Sequence, residues 1–170
     1  MIAMTRLATA LGGAALAAVA AAAPPAAAQG LLTTHRVSAP LANEAVAAAV
    51  AQCLTQGYFV SAVMLDASGT RQALLRGDGA GIHTLDSAQG KAYTSTSFKT
   101  ESGAVAERIM ANPAAVGLQH VPGVLLARGA IPIKIGDEVV GAIGVGGAPG
   151  GEKDEACAQA GLDKIKDRLK

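Results

Sequence analysis

Aromatic residues are nearly missing from this chain. Its 170 residues include no Trp, two Tyr and two Phe. That scarcity excludes the stacking platforms on which single-stranded nucleic acids bind. Charge of one sign is missing too, because 14 Lys and Arg stand against 13 Asp and Glu. Without a basic stripe there is no electrostatic footprint for a nucleic-acid partner. Cysteine is reduced to Cys53 and Cys157, whose separation rules out a C-x-x-C redox motif. No G-x-S-x-G elbow and no H-E-x-x-H pair occurs, so neither an α/β-hydrolase nucleophile nor a zincin-type metal site is encoded. What remains to build a core is Ala, Val, Leu and Ile.

The first residues have a different character from the rest. MIAMTR carries one Arg, an Ala-rich apolar run follows, and Ala26-Ala27-Ala28 forms an A-x-A exit before Gln29. These are the three parts of a secretory signal peptide. Pro24-Pro25 ends the apolar run, which argues against a membrane anchor. Residues 1–28 are therefore expected to be removed, residues 29–40 to form a flexible leader, and residues 41–170 to form one domain with a single core. The destination is the periplasm or the exterior, with no membrane association after cleavage. In that compartment disulfides persist. Cys53 and Cys157 are then either bridged across a long loop or two buried thiols.

Beyond Pro40, LANEAVAAAVAQCLTQG predicts a helix ended by Gly57, capped by Ser38 or Asn43. YFVSAVMLD is a nearly continuous apolar strand, and ASG turns it into TRQALLR as a hairpin. RGDGAG breaks the pattern, and Asp86 with Gln89 predicts a capping-box start for the helix DSAQGKAYTSTSF. ESGAVAERIMAN is a second helical piece that stops before Pro113. VPGVLLAR, AIPIKI and EVVGAIGVGG read as three more strands, the last two joined at Gly136-Asp137. An amphipathic helix, EKDEACAQAGLDKIKDRL, closes the chain. The expected class is α+β, a five-stranded antiparallel sheet flanked by helices.

GVGGAPGGEKDE invites comparison with phosphate loops and fails both tests. In G-x-G-x-x-G register from Gly144 the third glycine falls on Pro149, and no Lys-Ser or Lys-Thr pair follows Gly150. Glu152, Asp154 and Glu155 fill the next helical turn, where they complement the helix dipole themselves, so no anion is required there.

VMLDASGT, LLRGDGAGIHTLDSAQGKAYTSTSF and GVLLARGAIPIKIGDEVVGAIGVGGAPGGEKDEACAQAGL, in this order, resemble the GlcG/HbpS family of haem-binding proteins, also described as a haem-degrading domain. The resemblance runs from about Leu41 to Leu169. It implies a profilin-like or roadblock-like sheet flanked by helices, homo-oligomers, and haem binding in some members. One departure is local: the family's G-G-x-P-I block keeps a single glycine here, in Arg128-Gly129-Ala130-Ile131-Pro132, so residue 130 lacks glycine's conformational freedom.

A haem site needs an axial ligand, donors for the propionates and an apolar slot. Of the three histidines, His35 is in the leader and His120 in a loop, whereas His83 follows the charged glycine turn inside a resembling block. His83 is the preferred ligand, with Ser or Thr hydroxyls of KAYTSTSFKT as weaker ones. Arg76 and Lys91 are the expected carboxylate holders, with Asp78 orienting Arg76 and Tyr93 stacking or donating a hydrogen bond. Glu152 and Glu155 form an E-x-x-E pair able to attract surface iron, although a dipole-complementing role explains them as well. Three functions follow as expectations. The first is an exported protein that sequesters, transfers or slowly degrades haem. The second is a non-catalytic oligomeric accessory or sensor module of a periplasmic oxidation system, with a sensor or oxidoreductase partner. The third is an enzyme that clamps a carboxylate-bearing metabolite through the same Arg and Lys. Mass spectrometry of the protein recovered after export should find its first residue at Gln29; an intact Met1 terminus would refute the cleavage.

Overall fold

The computed structural model describes Gly30 and residues 32–169, so the expected signal peptide lies outside the described residues. The residues from Thr34 onward form one compact unit. Its element order is α1 (Ala39–Thr55), β1 (Ser61–Asp66), β2 (Arg71–Arg76), α2 (His83–Phe98), α3 (Ser102–Met110), a 3-10 stretch (Pro113–His120), β3 (Ala130–Ile135), β4 (Glu138–Gly146), α4 (Gly151–Ile165) and a final 3-10 turn (Lys166–Arg168). Among the described residues, no helix is long and apolar enough to cross a membrane.

The sheet is α+β in character and wholly antiparallel, in the order β2-β1-β4-β3. It has four strands, not the expected five. VPGVLLAR is the difference: residues 121–129 form an irregular loop. Its hydrophobic run imitates a strand, but Pro122 supplies no amide donor and Gly123 takes φ +87°. The loop's polar partner is a side chain of α2: Leu125 N donates to Thr94 Oγ1 at 2.9 Å, and Thr94 Oγ1 donates to Leu125 O at 3.1 Å.

β1 is buried at all six positions because helices cover both faces. Ala62 and Met64 face the larger core, shared with Ala45, Val46 and Ala49 of α1 and Ala158 and Ile165 of α4. Val63 and Leu65 face the opposite side, against Ala88 and Ala92 of α2. Period-two alternation is thus present but invisible in a strand apolar on both faces. The turn after β1 is closed by Asp66, whose Oδ1 accepts from Ser68 N and Thr70 N at 2.9 and 3.0 Å.

Three expectations of helix and leader ends are revised. α2 begins at His83, three residues before Asp86, and no side chain caps it. Gln89 is drawn outward, where its Oε1 accepts from Arg71 Nε at 3.0 Å. Ser38 stands at the N-cap of α1 with no side-chain bond, because Pro40 in the first turn already removes one orphan amide. Part of the expected leader is held: His35 Nδ1 lies 2.7 Å from Glu138 Oε2, Arg36 pairs with Asp66, and Val37 is buried.

The glycines before α4 serve packing. A Cβ on Gly144 of β4 would sit 2.4 Å from Ala88 O and 2.9 Å from Ala92 Cβ, so its absence lets α2 press its backbone onto the sheet. On the other face Cys53 of α1 and Cys157 of α4 are bonded, their Cα atoms 5.6 Å apart and 104 residues apart in sequence. A closed loop of that length removes about 4 to 5 kcal/mol of chain entropy from the unfolded state. Replacing both cysteines by Ala should lower the melting temperature by on the order of 10 °C or more in calorimetry. An unchanged melting temperature would show that α1 and α4 hold together without the bond.

Candidate functional site

α2 is unusually polar for a helix with so much buried surface: Thr84, Lys91, Thr94, Ser95 and Thr96 are all buried. Most of them have partners at hand. Thr84 Oγ1 is 2.7 Å from Ser61 Oγ, and Ser95 Oγ donates to Thr100 O at 2.7 Å. The strongest contact is ionic. Lys91 Nζ donates to Asp154 Oδ2 at 2.6 Å and to Val145 O at 3.1 Å. Asp154 Oδ1 in turn accepts from Ala148 N at 3.0 Å. Burial pushes the Asp154 carboxyl up, while the Lys91 ammonium opposes that shift. Gly129, at φ +134°, closes over the pair: a Cβ there would lie 2.8 Å from Asp154 Cβ and 2.9 Å from Lys91 Nζ. The one glycine retained in the Arg-Gly-Ala-Ile-Pro block is therefore the one the backbone requires. Ala130 takes an ordinary strand conformation, with its N donating to Ser102 Oγ at 3.0 Å.

Above this ion pair, between α2 and the loop over 121–129, runs an open groove of about 630 Å³. Such a volume lies within the range of about 300–1,000 Å³ typical of small-molecule sites. His83, Asp86 and Ser87 lie along the helix side, and Val124, Leu125 and Ala127 form the loop side. Gly90 sets the distance between them, since a Cβ there would meet Leu125 Cβ at 2.8 Å. The loop is anchored by Arg128, which bonds Glu107 Oε1 at 2.7 Å and Glu155 Oε1 at 3.3 Å.

The expected site residues do not form one constellation. His83 and Lys91 line the groove, but Lys91 is committed to Asp154 and Val145 O and has little left for a ligand carboxylate. Arg76 and Asp78 line a different concavity, beside α1. They do not pair with each other: Arg76 Nε and Nη2 both donate to Ala80 O. The Tyr93 ring packs against Gly69 and Gly123, filling space as a core aromatic does. His120 is exposed beside Gln119, and His35 is engaged with Glu138. Glu155 is drawn to Arg128 and its carboxyl is pushed up by burial, whereas Glu152 is exposed. Among the described residues, no group of three or more His, Cys, Asp or Glu can hold a metal ion. Sequence reasoning assigned Asp86 a capping role only and did not place Ser87 or Gly90 in a site, and it missed the loop residues Val124, Leu125 and Ala127 because a segment read as a strand offers no groove wall.

A four-stranded antiparallel sheet between helices, with a groove formed by one helix and an adjoining loop, defines an α+β protein of the sheet-and-helix class. The family described as "Haem degrading protein HbpS-like" matches residues 37–163. The chain belongs to that HbpS-like family. A double mutant of Streptomyces reticuli HbpS is 38% identical with a TM-score of 0.74, over 84% of this chain and 97% of that one. A second HbpS structure is 34% identical with a TM-score of 0.74, over 79% of this chain and 93% of the other. A PduOC:heme complex shares the fold at 24% identity and a TM-score of 0.71, over 77% and 96% of the two chains. A search of curated proteins gave no match.

Removing one partner of a buried ion pair leaves the other charge uncompensated, at a cost of about 3 to 5 kcal/mol. Lys91→Met and Asp154→Leu should each destabilise the protein by that amount in urea unfolding, and the double variant by clearly less than the sum. Additive losses would show that the two side chains are not coupled.

Proposed function

We propose that this protein binds haem in the groove between α2 and the loop over 121–129, where a ring nitrogen of His83 would hold its iron. The observation that carries the reading is the combination of apolar loop wall, ample volume and a histidine at the same opening. His83 is exposed, so its ring is accessible to a ligand in the groove. Family membership supports the ligand class. Bound haem would supply iron-centred redox chemistry. The chain's own part is to orient the ring through Val124, Leu125 and Ala127 and to present an imidazole nitrogen.

The fit is good for the macrocycle and poor for the propionates. Lys91 is occupied by Asp154, Arg76 lies elsewhere, and Asp86 at the rim repels carboxylates. No Lys or Arg lining the groove would be free to hold the propionates. In this reading the mature protein works outside the cytoplasm as a homo-oligomer that sequesters haem, passes it on or degrades it slowly.

Titration of the purified protein with hemin should produce a saturable Soret band. His83→Ala should weaken binding about tenfold or more, equivalent to about 1.4 kcal/mol. Ala127→Trp, which fills the groove, should abolish it, and Arg76→Ala should leave it unchanged. No saturable change at micromolar hemin, or a loss confined to Arg76→Ala, would overturn the assignment.

A further inference from the structure

A second concavity of about 250 Å³ shares no lining residue with the groove. Val50 and Leu54 of α1, Phe59 of the following loop and Leu75 of β2 form its apolar walls, and Arg76 and Asp78 stand at its edge. Three of these apolar side chains are far more exposed than a core residue: Leu54 is 56% exposed, Phe59 53% and Leu75 38%. They converge on one depression instead of being scattered singly over the surface, where they would need no explanation.

Arg76 is held in an uncommon way. Its Nε and Nη2 both grip the Ala80 carbonyl across the glycine turn, which fixes the guanidinium plane without neutralising it. None of the ion pairs among the described residues includes Arg76 or Asp78. A pre-oriented cation that forms no ion pair, beside an apolar depression, suits a ligand with an anionic head and an apolar body. A fixed guanidinium loses little further entropy on meeting a carboxylate. Asp78 limits the head group to a single negative charge, since a doubly charged phosphate would be repelled more strongly at the same edge. The volume falls below the range of about 300–1,000 Å³ for drug-sized ligands, so the body is short.

We propose that this concavity is a second ligand site, which takes a short-chain alkyl carboxylate with its head on Arg76 and its chain against Leu54, Phe59 and Leu75. The site stands independently of haem binding, because the two concavities lie at different elements. Hexanoate is the probe, with hexanol as the uncharged control, followed through the methyl resonances of Val50, Leu54 and Leu75. Hexanoate should move those resonances saturably, with hexanol about tenfold weaker. Arg76→Gln should weaken hexanoate about tenfold, Arg76→Lys should weaken it less, and Asp78→Asn should tighten it severalfold. Saturation of the groove with hemin should leave hexanoate binding intact, and a failed hemin titration would not affect the result. Four outcomes would overturn the proposal: no saturable shift, shifts centred on Val124 and Leu125, hexanol binding as tightly as hexanoate, or ligand-free shifts that grow with protein concentration. The last would place a second copy of the chain in the depression.

Discussion

The buried contact between Lys91 and Asp154 is the constraint on which the rest of the arrangement depends. It joins residues 63 positions apart, on helices at opposite faces of the sheet, by way of the end of β4. A charge inside a protein is tolerated only when it is paired and its remaining hydrogen-bonding capacity is filled. Here Val145 O takes a second ammonium proton, and Ala148 N occupies the other carboxylate oxygen. The exit from β4 is thereby fixed in space, and with it the start of α4. Gly129 is fixed by the same contact, because no side chain fits between its Cα and the pair.

From Gly129 the constraint passes into the groove. Arg128, next in the chain, is tied to Glu107 of α3 and Glu155 of α4, so the base of the loop is held from three sides. The loop's far side is held by Thr94, which serves Leu125 as both donor and acceptor. An apolar wall with few ladder bonds of its own thus stays in place through side-chain partners. Glu155 bears a cost of this design: its Oε2 is buried without a partner. The chemistry Lys91 was expected to perform on a ligand is instead spent inside the fold, and this is why the groove is rich in apolar surface and poor in cations.

What the sequence made legible followed from local rules. β1 and β2 were readable because a short apolar run was punctuated by Asp-Ala-Ser-Gly, and Asp66 closes that turn as such residues do. The helix through Cys53 was readable from the run LANEAVAAAVAQCLTQG between Pro40 and the stop at Gly57, and α1 spans Ala39–Thr55. The misreadings share a different cause. Val124, Leu125 and Leu126 have the composition of a strand, and nothing local reveals that Thr94 would satisfy Leu125 in place of a ladder. Likewise Asp86 and Gln89 have capping-box spacing, but Arg71, on a strand brought alongside by the fold, competes for Gln89. The candidate site suffered most, because grouping Arg76 with Lys91 assumed that nearness in sequence meant a common cavity. β2 delivers Arg76 to the α1 side of the molecule, and α2 carries Lys91 away into the interior.

The glycine-rich passage into α4 shows how one sequence pattern can serve opposite ends. In a phosphate loop, glycines bare the backbone amides so that an external anion can accept from them. Here the anion is internal: Asp154, in the first turn of α4, takes the Ala148 amide at 3.0 Å and is itself balanced by Lys91. Glu152 stands against Gly150, close enough that a Cβ on that glycine would collide with its carboxylate. Negative charge is thus already supplied at the helix start by the chain, and the macrodipole has no need of a ligand. The glycines remain necessary for a steric reason, since Gly144 admits the backbone of α2 and Gly129 admits the ion pair. The passage consequently acts on the groove from below, by setting where α2 and the loop base lie, without touching anything bound in it.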